Sequence, residues 1–551
     1  MVLLIAVALG RIVATYWVFN QTMDEPYQVA TGLEWWERGT YTLDAVHGPL
    51  SRIVIALPAY LRGARLGNTG SGQLEGNRYF YGPGNYLNNL ALARVGVLPF
   101  FVLAAVVVAL WARRLAGEAG AMAAVLLFTT LPPVLAHAGV ATTDTPVEAT
   151  FALGLLVLVG WLANPTPRMG VALGLAAALT ATSKLSGLVY LVAAGSAIAV
   201  AYSSVGRPGS ASGGPWWKTQ PGRGRSLALA AAAAALVVWA LYRFSWARLP
   251  GFPTQDSTLA WVIYGVGRHV PLPAPDFWRA FAIVSADNSI GRHAYLLGAT
   301  RVGGFPEFFF VALLVKTPLP FLALAAVGGV VMVYQGGRER DWQRLAPVLG
   351  AAAILAVAGF TRINIGLRHI LPIYPLLAIV AGAGAAWLWK AARQRDDSPR
   401  AGWGARAAAG VVLAGLLGWQ VWEGVAAHPD YLAYFNQFAG GHGEEILVDS
   451  DLDWGQDVLR LAAELQRRKI DDVWFAYFGS ANPWLNGMPH SRPLEANQPV
   501  TGWVAISEYR LKLGDISPNT WHGYDWLKKY QPVARVGKSI LLYYIPPETA
   551  R

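Results

Sequence analysis

Apolar runs long enough to cross a bilayer recur along most of this chain, each closed by polar or basic residues. A spanning helix needs about 20 apolar residues. Such runs lie at about 2–19, 90–111, 119–138, 146–162, 169–182, 185–202, 226–244 and 313–334. Three more end near 360, 389 and 422. Of the 551 residues, 54% are hydrophobic and only 14% charged, against about a quarter charged in soluble domains. The pattern predicts an α-helical polytopic membrane protein with about 11 transmembrane helices. The run from Val2 is broken only by Arg11 and is followed by no small-residue cleavage site, so it reads as a retained span.

The net charge of +11 suits a nucleic-acid ligand in principle, but the basic residues sit in short loops between apolar runs. Arg113-Arg114, Arg168, the group Arg207, Lys218, Arg223 and Arg225, the group Arg338, Arg340 and Arg344, and the group Lys390, Arg393, Arg395 and Arg400 alternate with loops poor in Lys and Arg. Cytoplasmic loops carry that excess. The N-terminus is therefore expected inside. The long polar stretches at about 20–89 and 246–306, the 361–369 loop and everything after about 425 are expected outside. The absence of cysteine excludes disulfides, thiolate metal sites and cysteine nucleophiles.

The expected domains are a membrane module, 1–424, and a small soluble extracytoplasmic α/β domain, 425–551. In the latter, Ile446-Leu447-Val448 reads as a strand and Asp453 as the N-cap of a helix over 454–468, with Val458, Leu461, Ala462 and Leu465 at helical spacing. Residues 473–477, 502–507 and 539–545 read as further strands. Earlier in the chain, 53–61 is apolar but too short to span and reads as an interfacial helix.

Several polar residues need an explanation on the expected outer face. Asp24-Glu25 follows the first span: a solvated loop start, or a base that takes the proton of an attacking hydroxyl. Asp144, in Thr142-Thr143-Asp144-Thr145-Pro146, caps a helix or joins those carboxylates. Lys184, Lys316 and Arg368-His369 interrupt or flank apolar runs where Lys and Arg are disfavoured. They snorkel to head groups, or they form an electropositive pocket for a lipid phosphate. His47 is a plain loop histidine or orients a carboxylate. The run 449–457 looks like a calcium loop but has Trp454 and Arg460 where such a loop needs Gly and Glu; it reads as a strand-end turn into an N-capped helix, or as an acidic edge that recognises the acceptor.

The segments Asp24-Glu25, His47-Gly48-Pro49-Leu50, Thr143-Asp144-Thr145-Pro146, Ser183-Lys184-Leu185-Ser186-Gly187-Leu188, Leu314-Val315-Lys316-Thr317-Pro318, Gly366-Leu367-Arg368-His369 and, near the C-terminus, 428–436 and 451–457 occur in one order. Together they resemble the protein O-mannosyltransferase and aminoarabinose-transferase group of GT-C-fold enzymes. That resemblance implies an inverting glycosyltransferase that moves a sugar from a polyprenyl-phosphate donor to a hydroxyl acceptor, in a plasma (inner) membrane. It implies Asp24, Glu25 and Asp144 as catalytic carboxylates, with Lys184, Arg368, His369 and Lys316 as donor-phosphate contacts and His47 in support. Gly48 departs from the proline common after that histidine, which bears on the rigidity of the loop. No cofactor is expected, and a divalent cation is not expected to be essential, because Lys and Arg alone neutralise a phosphate monoester. The expected partners are the donor lipid and the membrane, with no nucleic acid.

A transporter or flippase is the alternative. It needs ionisable groups along a path near the midplane, where Arg11 is the clearest candidate and no inverted repeat is visible. A membrane-anchored binding protein is a third reading, one that leaves the outer acidic and basic residues unexplained.

Overall fold

The computed structural model describes residues 1–547 apart from 83, 206–221, 252–256, 394–401 and 516–519. Arg207, Lys218, Arg395 and Arg400 of the basic loops lie outside the described residues. The membrane part begins with α1 (Val2–Ala14) and a first excursion of four helices, α2 (Glu25–Arg38), α3 (Pro49–Leu61), α4 (Gly72–Phe80) and α5 (Tyr86–Val95). It continues with α6 (Leu98–Thr129), α7 (Pro132–Ala138), α8 (Asp144–Ala163), α9 (Pro167–Ser183), α10 (Leu185–Val205) and α11 (Arg223–Leu241). A second excursion holds the strand pair β1 (Trp246–Ala247) and β2 (Leu272–Pro273), helices α12 (Thr258–Gly267) and α13 (Pro275–Ile290), and the hairpin β3 (His293–Leu296) and β4 (Ala299–Val302). The remaining membrane helices are α14 (Phe308–Lys316), α15 (Leu319–Arg338), α16 (Trp342–Ala358), α17 (Ile373–Arg393) and α18 (Gly402–Ala426).

Among the described residues seven helical segments are long and apolar enough to cross a membrane: 86–129, 144–163, 185–205, 223–241, 319–338, 373–393 and 404–426. Large apolar side chains such as Val192, Val200, Val330 and Val411 stay more than half exposed on them, as lipid-facing positions should. Helices α1, α9 and α16 match other expected spans but are shorter, at 13, 17 and 17 residues. The expected second and third spans are the two arms of α6, folded back on each other at Gly117, where the backbone leaves helical geometry at a φ of 68° that few other residues adopt and Phe101 of the first arm stacks on Phe128 of the second. The eighth is divided at Thr317, where Pro318 forces the preceding residue into extended backbone (φ −105°, ψ 131°) and separates α14 from α15.

Close helix packing comes from small residues. A Cβ on Gly328 of α15 would lie 1.8 Å from the Val380 carbonyl of α17, and one on Gly384 of α17 would lie 2.4 Å from the Leu324 carbonyl. The backbones touch there, as membrane helices do where glycine removes the side chain. At one end of the bundle Arg223 stacks on Trp161 and Tyr202, and Tyr202 on Trp342 at the start of α16. The breaks at Lys184 and Thr317 and the start of α8 belong to the other end.

The C-terminal part is a five-stranded sheet of order β6-β5-β7-β9-β8, made of β5 (Asp472–Ala476), β6 (His490–Pro493), β7 (Gly502–Ser507), β8 (Ala534–Val536) and β9 (Ile540–Ile545). Strand β5 runs parallel to β6 and β7, and the remaining pairs are antiparallel. Helix α19 (Val458–Arg467) buries Val458, Leu461, Ala462 and Leu465, the four residues its spacing predicts. Helix α20 (Glu508–Leu513) follows β7. Two expectations are corrected. Ile446–Val448 is not a strand but lies between two 3-10 turns, and α19 starts after Asp457 rather than Asp453. The cause is Gly455 (φ 83°), packed against the Phe478 carbonyl, while the Asp453 carboxylate accepts the Tyr509 and Gly455 N–H groups instead of capping a helix. Residues 449–457 form a strap over the membrane part. The Asn20 amide donates to the Gly455 carbonyl at 2.6 Å and its carbonyl oxygen accepts Val458 N–H at 2.7 Å, while Met23 N–H reaches the Trp454 carbonyl at 3.0 Å.

Gly328→Leu would push α15 off α17. Overpacking of this kind costs about 1–3 kcal/mol or more. The variant is expected to melt several degrees lower in detergent, and an unchanged melt would show that the contact is not tight.

Candidate functional site

Asp144 is the first residue of α8, and its side chain makes no capping bond. Its carboxylate turns to the Lys184 ammonium at 2.6 Å and to the Thr142 hydroxyl at 3.1 Å. Lys184 reaches it because the chain is extended there (φ −158°, ψ 136°), breaking α9 from α10. Arg368, on the turn before α17, binds the Asp24 carboxylate through Nη1 and lies 3.9 Å from Asp144. Its guanidinium is stacked 4.3 Å over Trp454 of the strap, and its buried Nε has no acceptor among the described residues. Four charges from four distant segments thus form one network. The side chain of Asp144 is 1% exposed and that of Asp24 is 29% exposed, so Asp24 is the carboxylate open to a ligand.

Glu25 is adjacent in sequence but turns elsewhere. It is fully buried and paired bidentately with Arg94 at 2.8 and 2.9 Å, and it accepts N–H bonds from Thr22 and Ala141. Lys316 also lies outside the network. Its ammonium donates to the carbonyls of Leu432 and Asp451 and sits 4.1 Å over Phe435, tying α14 to the strap. His47 and His369 flank the network as neutral imidazoles. Burial lowers the His47 pKa to about 4, assisted by Arg52 and Lys184 and opposed by Asp44 and Asp24. Burial, then Lys184 and Arg368, hold His369 well below the usual range. Arg52 fixes the loop before α3 through Gln28, Tyr41 and Asp44. Gly48 keeps a proline-like φ of −69°, and a Cβ there would lie 2.1 Å from the Thr182 carbonyl. Glycine at this position lets α3 begin against the end of α9.

The calcium-loop lookalike has carboxylates that diverge. Asp451 accepts Leu367 N–H, Asp453 accepts Tyr509 N–H, and Asp457 accepts Lys538 and Ser539 N–H. Among the described residues no group of three His, Asp or Glu side chains is placed to hold a metal ion. Sequence reasoning passed over Arg94 and read Asp449 and Trp454 only as parts of a failed calcium loop. Arg94 carried a signal, a cation inside an apolar run. Asp449 and Trp454 enter only through the path of the strap. Burial raises the Asp449 carboxyl to about 7 against the pull of Arg368. Glu148, one turn into α8 from Asp144, is buried with no partner among the described residues.

Residues 2–212 match the family model described as dolichyl-phosphate-mannose-protein mannosyltransferase. The match covers 211 of the 551 residues, less than half of the chain, and shows what that part is similar to. No curated protein sequence matches. Among solved structures, the Pmt1–Pmt2 protein O-mannosyltransferase complex of S. cerevisiae bound to its sugar donor is similar with a TM-score of 0.50 and 12% identity, over 78% of this chain and 89% of that one. ArnT from Cupriavidus metallidurans bound to undecaprenyl phosphate gives 0.49 and 14%, over 98% and 97%. AglB, the oligosaccharyltransferase of Archaeoglobus fulgidus, in complex with an inhibitory peptide and a dolichol-phosphate, gives 0.44 and 12%, over 95% and 72%. At 12% identity the Pmt1–Pmt2 likeness is one of fold, the GT-C architecture expected from the sequence.

Arg94→Met leaves a buried carboxylate unpaired, which costs about 3–5 kcal/mol; a clear drop in Tm is expected, and an unchanged Tm would contradict the assigned pairing. For Asp449 the folded pKa, about 7, stands above the ordinary 3.8. The folded state therefore keeps a proton that the unfolded chain releases, and this contribution is lost as pH rises from about 4 to 7. Asp449→Asn should melt a few degrees above the parent at pH 8 and level with it at pH 4. Equal melts at both pH values would contradict the buried acid.

Proposed function

We propose that the network of Asp24, Arg368, Asp144 and Lys184 transfers a sugar, with inversion, from a polyprenyl phosphate to an acceptor hydroxyl at the outer face of the membrane. The observation that carries this reading is the convergence of two carboxylates and two cations at the bundle end opposite the Arg223 cluster, in a chain whose residues 2–212 match the mannosyltransferase family model. Asp24 is the base. It takes the hydroxyl proton as the acceptor oxygen bonds to the anomeric carbon, and the bond from that carbon to the phosphate oxygen breaks with its electron pair. The charge gathering on the leaving phosphate is met by Lys184 and by Arg368, whose Nε donor is unused. Asp144 positions both cations. Glu25 and Arg94 position the loop that carries Asp24. No cofactor enters this reading, and two cations beside a phosphate monoester make a divalent ion unnecessary.

Arg368 is bound by Asp24, so base and phosphate compete for one guanidinium. An incoming dianion draws Arg368 away and leaves Asp24 ionised, without a partner and beside the anomeric carbon. Donor binding thereby arms the base. The transporter reading gains little. Arg11 lies against the Gly424 carbonyl and Tyr431 rather than along a path, and Glu148 alone is set deeper.

Purified protein offered a panel of polyprenyl-phosphate sugars should release polyprenyl phosphate. Asp24→Asn should lower that rate by about 10²–10⁴-fold without lowering Tm. Ordinary transfer by the variant would remove Asp24 as the base.

A further inference from the structure

A second polar cleft, of about 440 Å³, opens away from the charge network. Three separate parts of the chain line it: Tyr295 and Thr300 of the β3–β4 hairpin, Glu444 and Glu445 at the foot of the strap, and the C-terminal domain. Its volume falls among small-ligand sites, about 300–1,000 Å³. The lining carries four carboxylates, on Glu444, Glu445, Glu508 and Asp525, against three fixed cations, on Lys512, Lys528 and Arg535. They are paired across it: Lys512 with Glu445 at 2.6 Å, Lys528 with Asp525 at 2.8 Å, and Arg535 with Glu444 at 3.1 Å and Glu508 at 2.7 Å.

That arrangement selects by chemistry. A phosphate would find a carboxylate beside every cation, and a metal ion would find Lys or Arg beside every carboxylate. Interleaved charged donors and acceptors with little net field suit a ligand that both donates and accepts hydrogen bonds, namely one made of hydroxyl groups. Glu508 strengthens the case. It is 1% exposed and bound by Arg535 through Oε1, and its Oε2 receives no hydrogen bond among the described residues.

The cleft also connects to the charge network. Glu445 stands four residues before Asp449, a reach of about 15 Å at most, and Asp449 lies in the field of Arg368. Tyr295 packs with Val448 and Leu452 of the same strap. A ligand in the cleft is therefore within a few sugar units of the hydroxyl that Asp24 would deprotonate.

We infer that this cleft binds a neutral oligosaccharide, the glycan portion of the acceptor. The inference deepens the transferase reading and rests on it for the word acceptor, while the binding itself is measured without transfer. The test titrates chitotetraose, mannotetraose and maltotetraose into the full-length protein in a detergent without a sugar head group, read by saturation-transfer NMR. Saturable binding of at least one of them is expected. Thr300→Trp, which fills the cleft without removing a contact across it, should weaken that binding at least tenfold with Tm unchanged, and Asp525→Asn should weaken it several-fold. Asp24→Asn should bind as the parent does, so a failed base and a failed cleft give different results. No saturable binding by the parent, or equal binding by Thr300→Trp, would overturn the inference.

Discussion

One guanidinium, that of Arg368, is shared between two carboxylates brought in from opposite parts of the chain. Charges at the edge of a low-dielectric slab are tolerated only when paired, and this pairing fixes much else. It requires α8 to start at Asp144, α9 to break from α10 at Lys184, and the turn before α17 to carry its cation inward. It also needs a floor for the guanidinium, which Trp454 provides. The strap thereby becomes part of the membrane module's chemistry as well as a link to the C-terminal sheet.

The supporting pairs follow the same logic one layer out. Glu25 with Arg94 and Lys316 with two carbonyls are buried charges spent on holding segments together. Each fixes an element that bears a member of the network: the loop carrying Asp24, and the strap carrying Asp449 and Trp454. Removing one partner from such a pair is costly, whereas the Asp24 contact is partly open to solvent and can exchange. Rigid supports around one exchangeable ion pair suit a site that must release its base when a phosphate arrives.

Much of this was legible from charge placed against hydrophobicity. Asp24, Asp144, Lys184 and Arg368 were singled out because each interrupts or borders an apolar run on one face, and these four converge. Glu25 and Lys316 gave the same signal and point elsewhere, because side chains of successive helical residues diverge by about 100° and an apolar run does not reveal which neighbour a lysine meets. The membrane helices were visible from run length, and the turn at Gly117 falls between two expected runs, while the break at Thr317 depended on a single residue within a run. The core face of α19 followed from its spacing. Its start did not, since the Asp453 side chain accepts from Tyr509, more than fifty residues away. Ile446–Val448 is apolar because it packs beneath the second excursion, which alternation alone does not distinguish from a strand.

The account turns on competition between Asp24 and a lipid phosphate for Arg368, and equilibrium binding measures that competition directly. Undecaprenyl phosphate should bind Asp24→Asn several-fold more tightly than the parent, because the rival carboxylate charge is gone, and should bind Arg368→Met more weakly. If Asp24→Asn binds the lipid phosphate no better than the parent while Arg368→Met binds it equally well, the guanidinium is not the phosphate's partner and the proposed arming of the base is wrong.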